Sequence, residues 1–137
     1  MIKPLYISRK LINVNDIFNW AKSQNIHNNL NLTDLHVTIA FSRNPVNWDL
    51  IKLQTKKIRN KNKNRTLEMF GEATVLTLSS ILLEKRWKEI INLGASWDYP
   101  KYSPHISLSY TVKLNNLKLI TPYYGELLFD KEEMKDL

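Results

Sequence analysis

Two short segments of this chain place a histidine two residues before a side chain that carries a hydroxyl. The first pair is His36 and Thr38, in the segment LHVTIAFS, and the second is His105 and Ser107, in the segment PHISLSYT. Imidazoles transfer protons near neutral pH, and hydroxyls donate hydrogen bonds to anionic oxygens. Two such pairs supply a base, an acid and two donors to a phosphate. These are the groups needed to break a phosphodiester without a metal ion.

Both segments have the composition of β-strands, because they alternate in hydrophobicity and are rich in β-branched residues. Side chains two residues apart on a strand point to the same face, so each segment presents an imidazole beside a hydroxyl. The alternative is that both histidines have structural roles in the core or at a sheet edge, with the hydroxyls present for β-propensity. The third histidine, His27, lies in a polar NIHNN stretch, and we interpret it as a solvated loop residue.

The elements that must position these pairs follow from periodicity and turn signals. Helices are predicted at 15–25 and 80–93, with Gly94 as a natural stop. Strands are predicted at 4–10, 34–42, 50–58, 65–70, 72–79, 105–111, 117–120 and 125–130. We expect Arg43-Asn44-Pro45 to end the second strand. The third and fourth strands are expected to form the arms of one hairpin, with KNKN at its tip.

The chain is predicted to form one domain, residues 1–137, because no linker rich in proline or glycine divides it. Each half contains one strand with a His-x-Thr/Ser motif and one helix, which indicates a rough two-fold repeat. Two similar lobes would bring the two motifs together at a central cleft. The predicted fold class is therefore α+β, with mainly antiparallel sheet.

Composition excludes several kinds of chemistry. The chain has no cysteine, which rules out disulfides, thiolate metal sites and a cysteine nucleophile. Its three histidines are scattered, which argues against a zinc site, so we expect neither metal nor cofactor. No apolar run approaches the ~20 residues needed to cross a bilayer. Because the N-terminus lacks a signal-peptide core, we expect a cytoplasmic protein with no membrane partner.

The formal net charge of +7 indicates an anionic partner such as a nucleotide or RNA, although solubility alone would also explain it. Basic residues alternate in one stretch: Lys57, Arg59, Lys61, Lys63 and Arg65. An extended stretch would carry them on one face and steer a polyanion toward the protein, whereas a hairpin tip would leave them solvated. The sequence leaves both possibilities open.

The paired motifs, their separation, their strand setting and the small size of the chain resemble the 2H phosphoesterase superfamily. Within it the chain looks most like the phage anti-CBASS proteins, which cleave cyclic oligonucleotide signals. This closer likeness rests on four segments: PLYISRKL, DLHVTIAFS, EMFGEATVLTL and YSPHISLSY. The resemblance implies two antiparallel α+β lobes around a cleft. It also implies a cyclic di- or trinucleotide substrate and, for a phage protein, action in the host cytoplasm.

For the catalytic residues, the resemblance implies that one of His36 and His105 is the base and the other the acid. Thr38 and Ser107 would donate hydrogen bonds to the phosphate oxygens. Which histidine has which role stays open, as does the nucleophile, which is either a ribose 2′-hydroxyl or water.

For substrate binding, the resemblance places Tyr6 at the cleft as an aromatic platform for a base, with packing on an edge strand as the alternative. Arg9 is a candidate phosphate contact, with an exposed strand end as the alternative. Tyr102 would line the cleft rim or cap the core, and Trp97 and Tyr99 in the same loop have the same two possibilities. A role for Glu132 or Glu133 in accepting a hydrogen bond from a base edge is also open.

Two other functions share part of this description. A 2′,3′-cyclic phosphodiesterase related to 2′–5′ RNA ligases would use the same four residues on RNA ends. A non-catalytic RNA- or nucleotide-binding module would use the charge and the aromatic residues, but would not need two complete motifs. Oligomeric state is not determined by the sequence.

Overall fold

The computed structural model of the chain describes residues 1–110, 114 and 116–137, and its central element is one seven-stranded antiparallel sheet. The strands in chain order are β1 (Ile2–Leu11), β2 (His36–Asn47), β3 (Ile58–Asn60), β4 (Thr66–Phe70), β5 (Ala73–Thr77), β6 (His105–Ser109) and β7 (Leu127–Lys135). Their order across the sheet is β3-β7-β1-β2-β6-β5-β4.

Two helices, α1 (Val14–Ser23) and α2 (Ile81–Asn92), cover one face of this sheet. Ile17 of α1 and Leu83 of α2 belong to the same buried cluster as Val37 of β2. The Ser80 hydroxyl caps α2 by accepting from the Leu83 N–H at 3.1 Å. We call this side of the sheet the helix face and the other side the cleft face.

The sheet consists of two halves that meet at a single residue pair. One half is β3-β7-β1-β2 and the other is β6-β5-β4, and the register between β2 and β6 contains only Val37 opposite Ile106. Each half therefore contributes one strand that carries a His-x-Thr/Ser motif. The expected fold class, α+β with two antiparallel halves around a cleft, is confirmed.

Most predicted elements are present, with shifted ends. Both helices and the strands predicted at 4–10, 34–42, 72–79 and 105–111 are observed, although residue 111 itself lies outside the described residues. The expected end of β2 at Arg43-Asn44-Pro45 is wrong, because the strand continues to Asn47. An irregularity in the β1–β2 register covers this tripeptide, and a strand tolerates proline at such a bulge.

The predicted hairpin between 50–58 and 65–70 is also wrong. β3 pairs with β7, whereas β4 pairs with β5, at the opposite edge of the sheet. The reason is local, because Gly71 adopts a φ of +60° in the two-residue turn that joins β4 directly to β5. The strand predicted at 117–120 is a 3₁₀ turn, Leu117–Leu119.

In the part of the chain that the structure describes, no helix has the length and apolar character that a membrane crossing needs.

Candidate active site

The two motifs lie side by side on the two central strands. Val37 and Ile106 are paired and fully buried against the helices. Because strand side chains alternate, the residues that flank this pair share the cleft face. They are His36, Thr38, His105 and Ser107. The antiparallel register sets His36 across from Ser107 and sets Thr38 across from His105. We call this arrangement the catalytic square.

The catalytic square lies in a cleft of about 830 Å³. Aromatic side chains form much of the wall: Tyr6, Phe41, Phe70, Trp97, Tyr99 and Tyr110. Sites for small molecules typically enclose ~300–1,000 Å³, so the cleft has room for a small nucleotide. Aromatic faces stack on bases without requiring a particular sequence, which suits a nucleotide ligand.

The two histidines are held in the same way. Nδ1 of His36 lies 2.9 Å from the carbonyl oxygen of Asp34, and Nδ1 of His105 lies 2.8 Å from that of Ser103. A carbonyl only accepts hydrogen bonds, so Nδ1 carries the proton that it donates. In a neutral ring, Nε2 is then left with its lone pair. Nε2 is therefore the atom through which each histidine can exchange a proton with a substrate.

The surroundings of His105 favour its neutral form. Burial lowers its pKa, the hydrogen bond to the Ser103 carbonyl partly opposes this, and the nearby His36 lowers the pKa further. The Phe70 ring packs edge-on against the imidazole, with ring centroids 4.8 Å apart. A neutral imidazole with its Nε2 lone pair in the cleft can act as a general base.

Tyr6 connects the two members of the first motif. Its hydroxyl lies 2.8 Å from Nε2 of His36 and 3.0 Å from Oγ1 of Thr38. Burial raises the pKa of Tyr6, so the hydroxyl keeps its single proton. When His36 is neutral, that proton goes to Nε2. When His36 is protonated, its Nε2–H donates to the Tyr6 hydroxyl. The Tyr6 hydroxyl can then donate to Oγ1 of Thr38, so that the Thr38 hydroxyl proton is free to donate to a phosphate oxygen.

The structure does not place Arg9 in the cleft. Arg9 pairs with Val37 in the register, lies on the helix face and is only 1% exposed. Its guanidinium donates to the carbonyl oxygens of Lys56 and Asp130, at 2.7 and 2.8 Å. The predicted phosphate contact is therefore wrong for this cleft. An exposed strand end is also wrong, because Arg9 lies beside the buried carboxylate of Glu132.

Tyr102 supports the cleft from behind. Its hydroxyl donates to the Thr38 carbonyl oxygen at 2.7 Å, and its ring stacks on Trp87 with centroids 5.5 Å apart. Burial raises the pKa of its phenol well above the usual value. Of the two roles considered for Tyr102, the structure shows the core cap. Trp97 and Tyr99, from the same loop, do line the cleft.

The charges in the cleft cancel formally. Arg43 and Lys101 are opposed by Glu72 and Asp98. Arg43 also forms an ion pair with Asp98, to whose carboxylate its Nε and Nη2 donate hydrogen bonds at 3.0 to 3.2 Å. The uncompensated polar groups that the cleft offers to an anion are therefore mainly the hydroxyls and imidazoles of the catalytic square.

The basic stretch does not form a stripe along the cleft. Arg59 is paired with Glu126 at 2.9 Å. Arg65 is buried and donates to the carbonyl oxygens of Tyr123 and Gly125, each at 3.0 Å. The three lysines of the stretch are exposed and none lines the cleft. The solvated interpretation therefore fits these lysines and the exposed Arg59, but it is wrong for the buried Arg65.

Other candidates also lie outside the cleft. His27 is half-buried, with its ring centroid 6.4 Å from that of Phe18, so the solvated interpretation is wrong. Glu132 is buried on the helix face, and Glu133 lies 3.9 Å from the Lys10 amine. Neither glutamate lines the cleft.

Several residues of the cleft wall were not predicted from the sequence: Phe41, Arg43, Phe70, Lys101 and Tyr110. A usable signal existed for Phe70, because the following glycine marks a tight turn and so sets Phe70 at the end of its strand. Arg43 was obscured by the expectation that its tripeptide ends β2. Within residues 1–110, 114 and 116–137, no cluster of three or more His, Cys, Asp or Glu side chains could hold a metal ion.

The sequence itself matches a known family over nearly its whole length. The family model described as "Anti-CBASS protein Acb1" covers residues 3–137. The chain belongs to the anti-CBASS Acb1 family.

Relatives from bacteria and phages bear the name of this family. The chain is 37% identical over 142 residues to the anti-CBASS protein Acb1 of Caulobacter sp. (strain RHG1), and 33% identical over 146 residues to that of Sphingomonas paeninsulae. Each match covers 98% of this chain but only 23% of the relative, so the chain spans about a quarter of these proteins. The Acb1 protein of Acinetobacter phage Ac42 is 40% identical over 80 residues, which cover 57% of this chain and 52% of the phage protein.

Solved structures support the fold of this Acb1 family member. Escherichia coli LigT in complex with 3′-AMP superposes with a TM-score of 0.60 at 13% identity, covering 98% of this chain and 87% of LigT. LigT with NADP⁺ gives a TM-score of 0.62 at 11% identity, with the same coverage. At this identity the likeness establishes a shared fold.

Proposed function

We propose that this chain is a phosphodiesterase that hydrolyses the 3′-5′ bonds of cyclic di- and trinucleotides and so counteracts CBASS signalling in the host cytoplasm. The observation that carries the proposal is the catalytic square, because it sets two imidazoles and two hydroxyls around a space that one phosphate can occupy. The family name supplies the biological setting. The aromatic wall of the cleft supplies surfaces for bases.

In this mechanism His105 is the base. Its lowered pKa keeps Nε2 unprotonated, and Nε2 accepts the proton of the attacking oxygen as the new P–O bond forms. The attacking oxygen belongs to a ribose 2′-hydroxyl or to water. A ribose attack would give a 2′,3′-cyclic phosphate, and a water attack would give a phosphomonoester.

His36 is the acid and works in its protonated form. Its Nε2–H, which donates to Tyr6 in the free protein, is transferred to the 5′-oxygen as the old P–O bond breaks. His105 thus takes up one proton and His36 releases one in each cleavage. Its positive charge also offsets the charge that develops on the phosphate, in a cleft whose other charges cancel. The hydroxyls of Thr38 and Ser107 donate to the non-bridging oxygens.

Substrate identity is tested by incubating the purified protein with EDTA and a panel of phosphodiesters, followed by separation of the products. The panel contains 3′,3′-cyclic di- and trinucleotides and an RNA that ends in a 2′,3′-cyclic phosphate. A His36→Ala/His105→Ala variant is the control for contaminating nucleases. Cleavage of the cyclic oligonucleotides by the wild type alone is the expected result.

Two other outcomes would change the assignment. Turnover of the RNA end alone would assign the protein to the processing of RNA ends instead. Inertness toward the whole panel would favour a nucleotide-binding module.

Loss of activity in EDTA, restored by a divalent cation, would contradict the metal-independent mechanism.

The assignment of acid and base is tested separately with a substrate whose leaving 5′-oxygen is replaced by sulfur. A thiolate departs without protonation, so the activity lost in His36→Ala should be largely restored on this substrate. The activity lost in His105→Ala should not be restored, because the nucleophile still needs its base. The reverse pattern would exchange the two roles.

A further inference from the structure

A second charged site lies on the helix face, away from the catalytic square. Two guanidiniums share one carboxylate there: Arg86 donates to Glu132 at 2.9 and 3.0 Å, and Arg9 lies 3.9 Å from the same carboxylate. Arg9, Glu132 and Arg86 are only 1%, 3% and 7% exposed, and we call them the buried triad. Glu89 also accepts from Arg86, at 3.0 Å, but it is exposed and its charge is screened by water.

The buried triad keeps an excess of positive charge. One carboxylate cannot neutralise two guanidiniums, and Nε of Arg9 has no acceptor among the described residues. Burial lowers the pKa of Arg9, Glu132 raises it, and the charge of Arg86 lowers it again. An anion that approaches this region therefore meets a favourable potential.

The triad also fixes the path of an irregular segment, residues 52–57, which we call the strap. The Lys52 and Lys56 carbonyl oxygens accept from its two arginines at 2.9 and 2.7 Å. The Gln54 N–H donates to its carboxylate at 2.9 Å. Because the backbone of three alternate residues is anchored in this way, the strap holds the backbone from which its lysine side chains extend along the surface.

A groove of about 630 Å³ separates the strap from α2. Four exposed lysines line it: Lys52, Lys56, Lys57 and Lys85. None of them forms an ion pair within the described part of the chain. Among the residues that the structure describes, none of those lining the groove is aromatic, whereas six of those lining the cleft are.

We propose that this groove is a second nucleotide-chain site, which binds the phosphates of a linear oligonucleotide without reading its bases. Lysine ammonium groups bind phosphates as point charges, and four of them along one groove suit a ligand with regularly spaced phosphates. The lack of aromatic platforms removes the usual means of gripping bases. Binding in the groove is therefore independent of sequence and strongly salt-dependent.

The test uses fluorescence anisotropy with a labelled oligothymidylate of about ten nucleotides, between roughly 50 and 200 mM salt. The groove variant is Lys52→Gln/Lys56→Gln/Lys57→Gln/Lys85→Gln. We expect it to lose at least about tenfold in affinity at low salt. The slope of log K against log salt should become shallower by roughly 3, since each phosphate contact with a single strand contributes about 0.7.

A matched control removes the same charge elsewhere, from four exposed lysines that line neither the groove nor the cleft: Lys22→Gln/Lys61→Gln/Lys63→Gln/Lys118→Gln. A second control, Arg43→Gln/Lys101→Gln, changes the cleft. Both should keep most of the affinity, and an abasic chain of equal length should bind as well as the oligothymidylate. Equal losses in the groove variant and the matched control, or a loss confined to the cleft variant, would overturn the proposal.

Because all of the lysines replaced in the groove variant and in the matched control are exposed, these two variants should unfold at the same temperature as the wild type. Binding to this site is measured without any turnover. Absence of cleavage would therefore contradict the proposed hydrolysis and not the groove. Absence of binding in the anisotropy assay would contradict the groove and not the proposed hydrolysis.

Discussion

The hydroxyl of Tyr6 lies 2.8 Å from Nε2 of His36, the atom that we assign as the proton donor. The same hydroxyl is 3.0 Å from Thr38, so one tyrosine connects the acid to a phosphate-binding hydroxyl. The charge on His36 then determines which way the shared protons point. When His36 is protonated and donates to Tyr6, Tyr6 can donate to Thr38, which frees the Thr38 proton for the substrate.

Replacing Tyr6 by Phe should therefore lower kcat by about 10- to 100-fold, the range expected for losing a hydrogen bond to a charged group. KM should change little, because the ring that faces the cleft remains. Steady-state kinetics measure both. The control is Tyr99→Phe, which removes the same atom from another tyrosine of the cleft. Equal kcat values for the two variants, or an effect on KM alone, would contradict the role of the hydroxyl.

The pH dependence should reflect the environment of His105. Because burial lowers its pKa, the acidic limb of kcat/KM should have its midpoint below the ordinary histidine value of about 6.5. Phe70→Ala admits water beside the imidazole, so it should move this midpoint to higher pH. Tyr99→Ala, whose ring contacts Trp97 instead, should not. A midpoint that stays fixed in Phe70→Ala would contradict the burial argument.

The same shift has a consequence for stability. With its pKa lowered, folded His105 binds fewer protons than it does in the unfolded chain when the pH is below about 6.5. Its contribution to folding therefore becomes less favourable as the pH falls through that value towards the folded pKa. The wild type should thus lose more stability on acidification than His105→Gln does, as measured by urea denaturation across this range. Parallel losses in both proteins would be inconsistent with a lowered pKa.

The buried triad should be a large single contributor to stability. Glu132→Gln keeps the shape of the side chain but leaves buried Arg9 without a carboxylate and Arg86 with only the exposed Glu89, which should cost about 3–5 kcal/mol in the free energy of unfolding. Glu133→Gln, at the neighbouring and less buried position, should cost less than about 1 kcal/mol. Urea denaturation measures the free energy of unfolding of both variants. Similar losses would show that the charge of Glu132 does not stabilise the fold.

Local patterns in the sequence were sufficient to predict that the two residues of each motif share a face, but not the arrangement of the strands. Alternation alone puts His36 and Thr38 on one face, because the strand period is two residues. That β2 lies beside β6 depends on contacts between residues far apart in the chain. The hairpin expected at residues 50–70 was wrong for the same reason: β3 finds its partner in β7, near the C-terminus.

Arg9 shows where local reasoning fails for a single residue. It lies three positions after Tyr6, so strand alternation sets it on the opposite face of the sheet from Tyr6, as observed, but alternation does not predict that an arginine is buried there. Its burial depends on Glu132, which is distant in sequence. Charged residues are usually exposed, and only knowledge of this partner would have predicted the opposite.

The most direct test of the central claim compares the three histidines of the chain in one assay. Wild type, His36→Ala, His105→Ala and His27→Ala are each incubated with a 3′,3′-cyclic dinucleotide in EDTA, and initial rates of ring opening are measured. His36→Ala and His105→Ala should each lose about 10²–10⁴-fold or more, whereas His27→Ala, which lies outside the cleft, should retain the wild-type rate per folded molecule. An unchanged rate in His36→Ala or in His105→Ala would contradict the account.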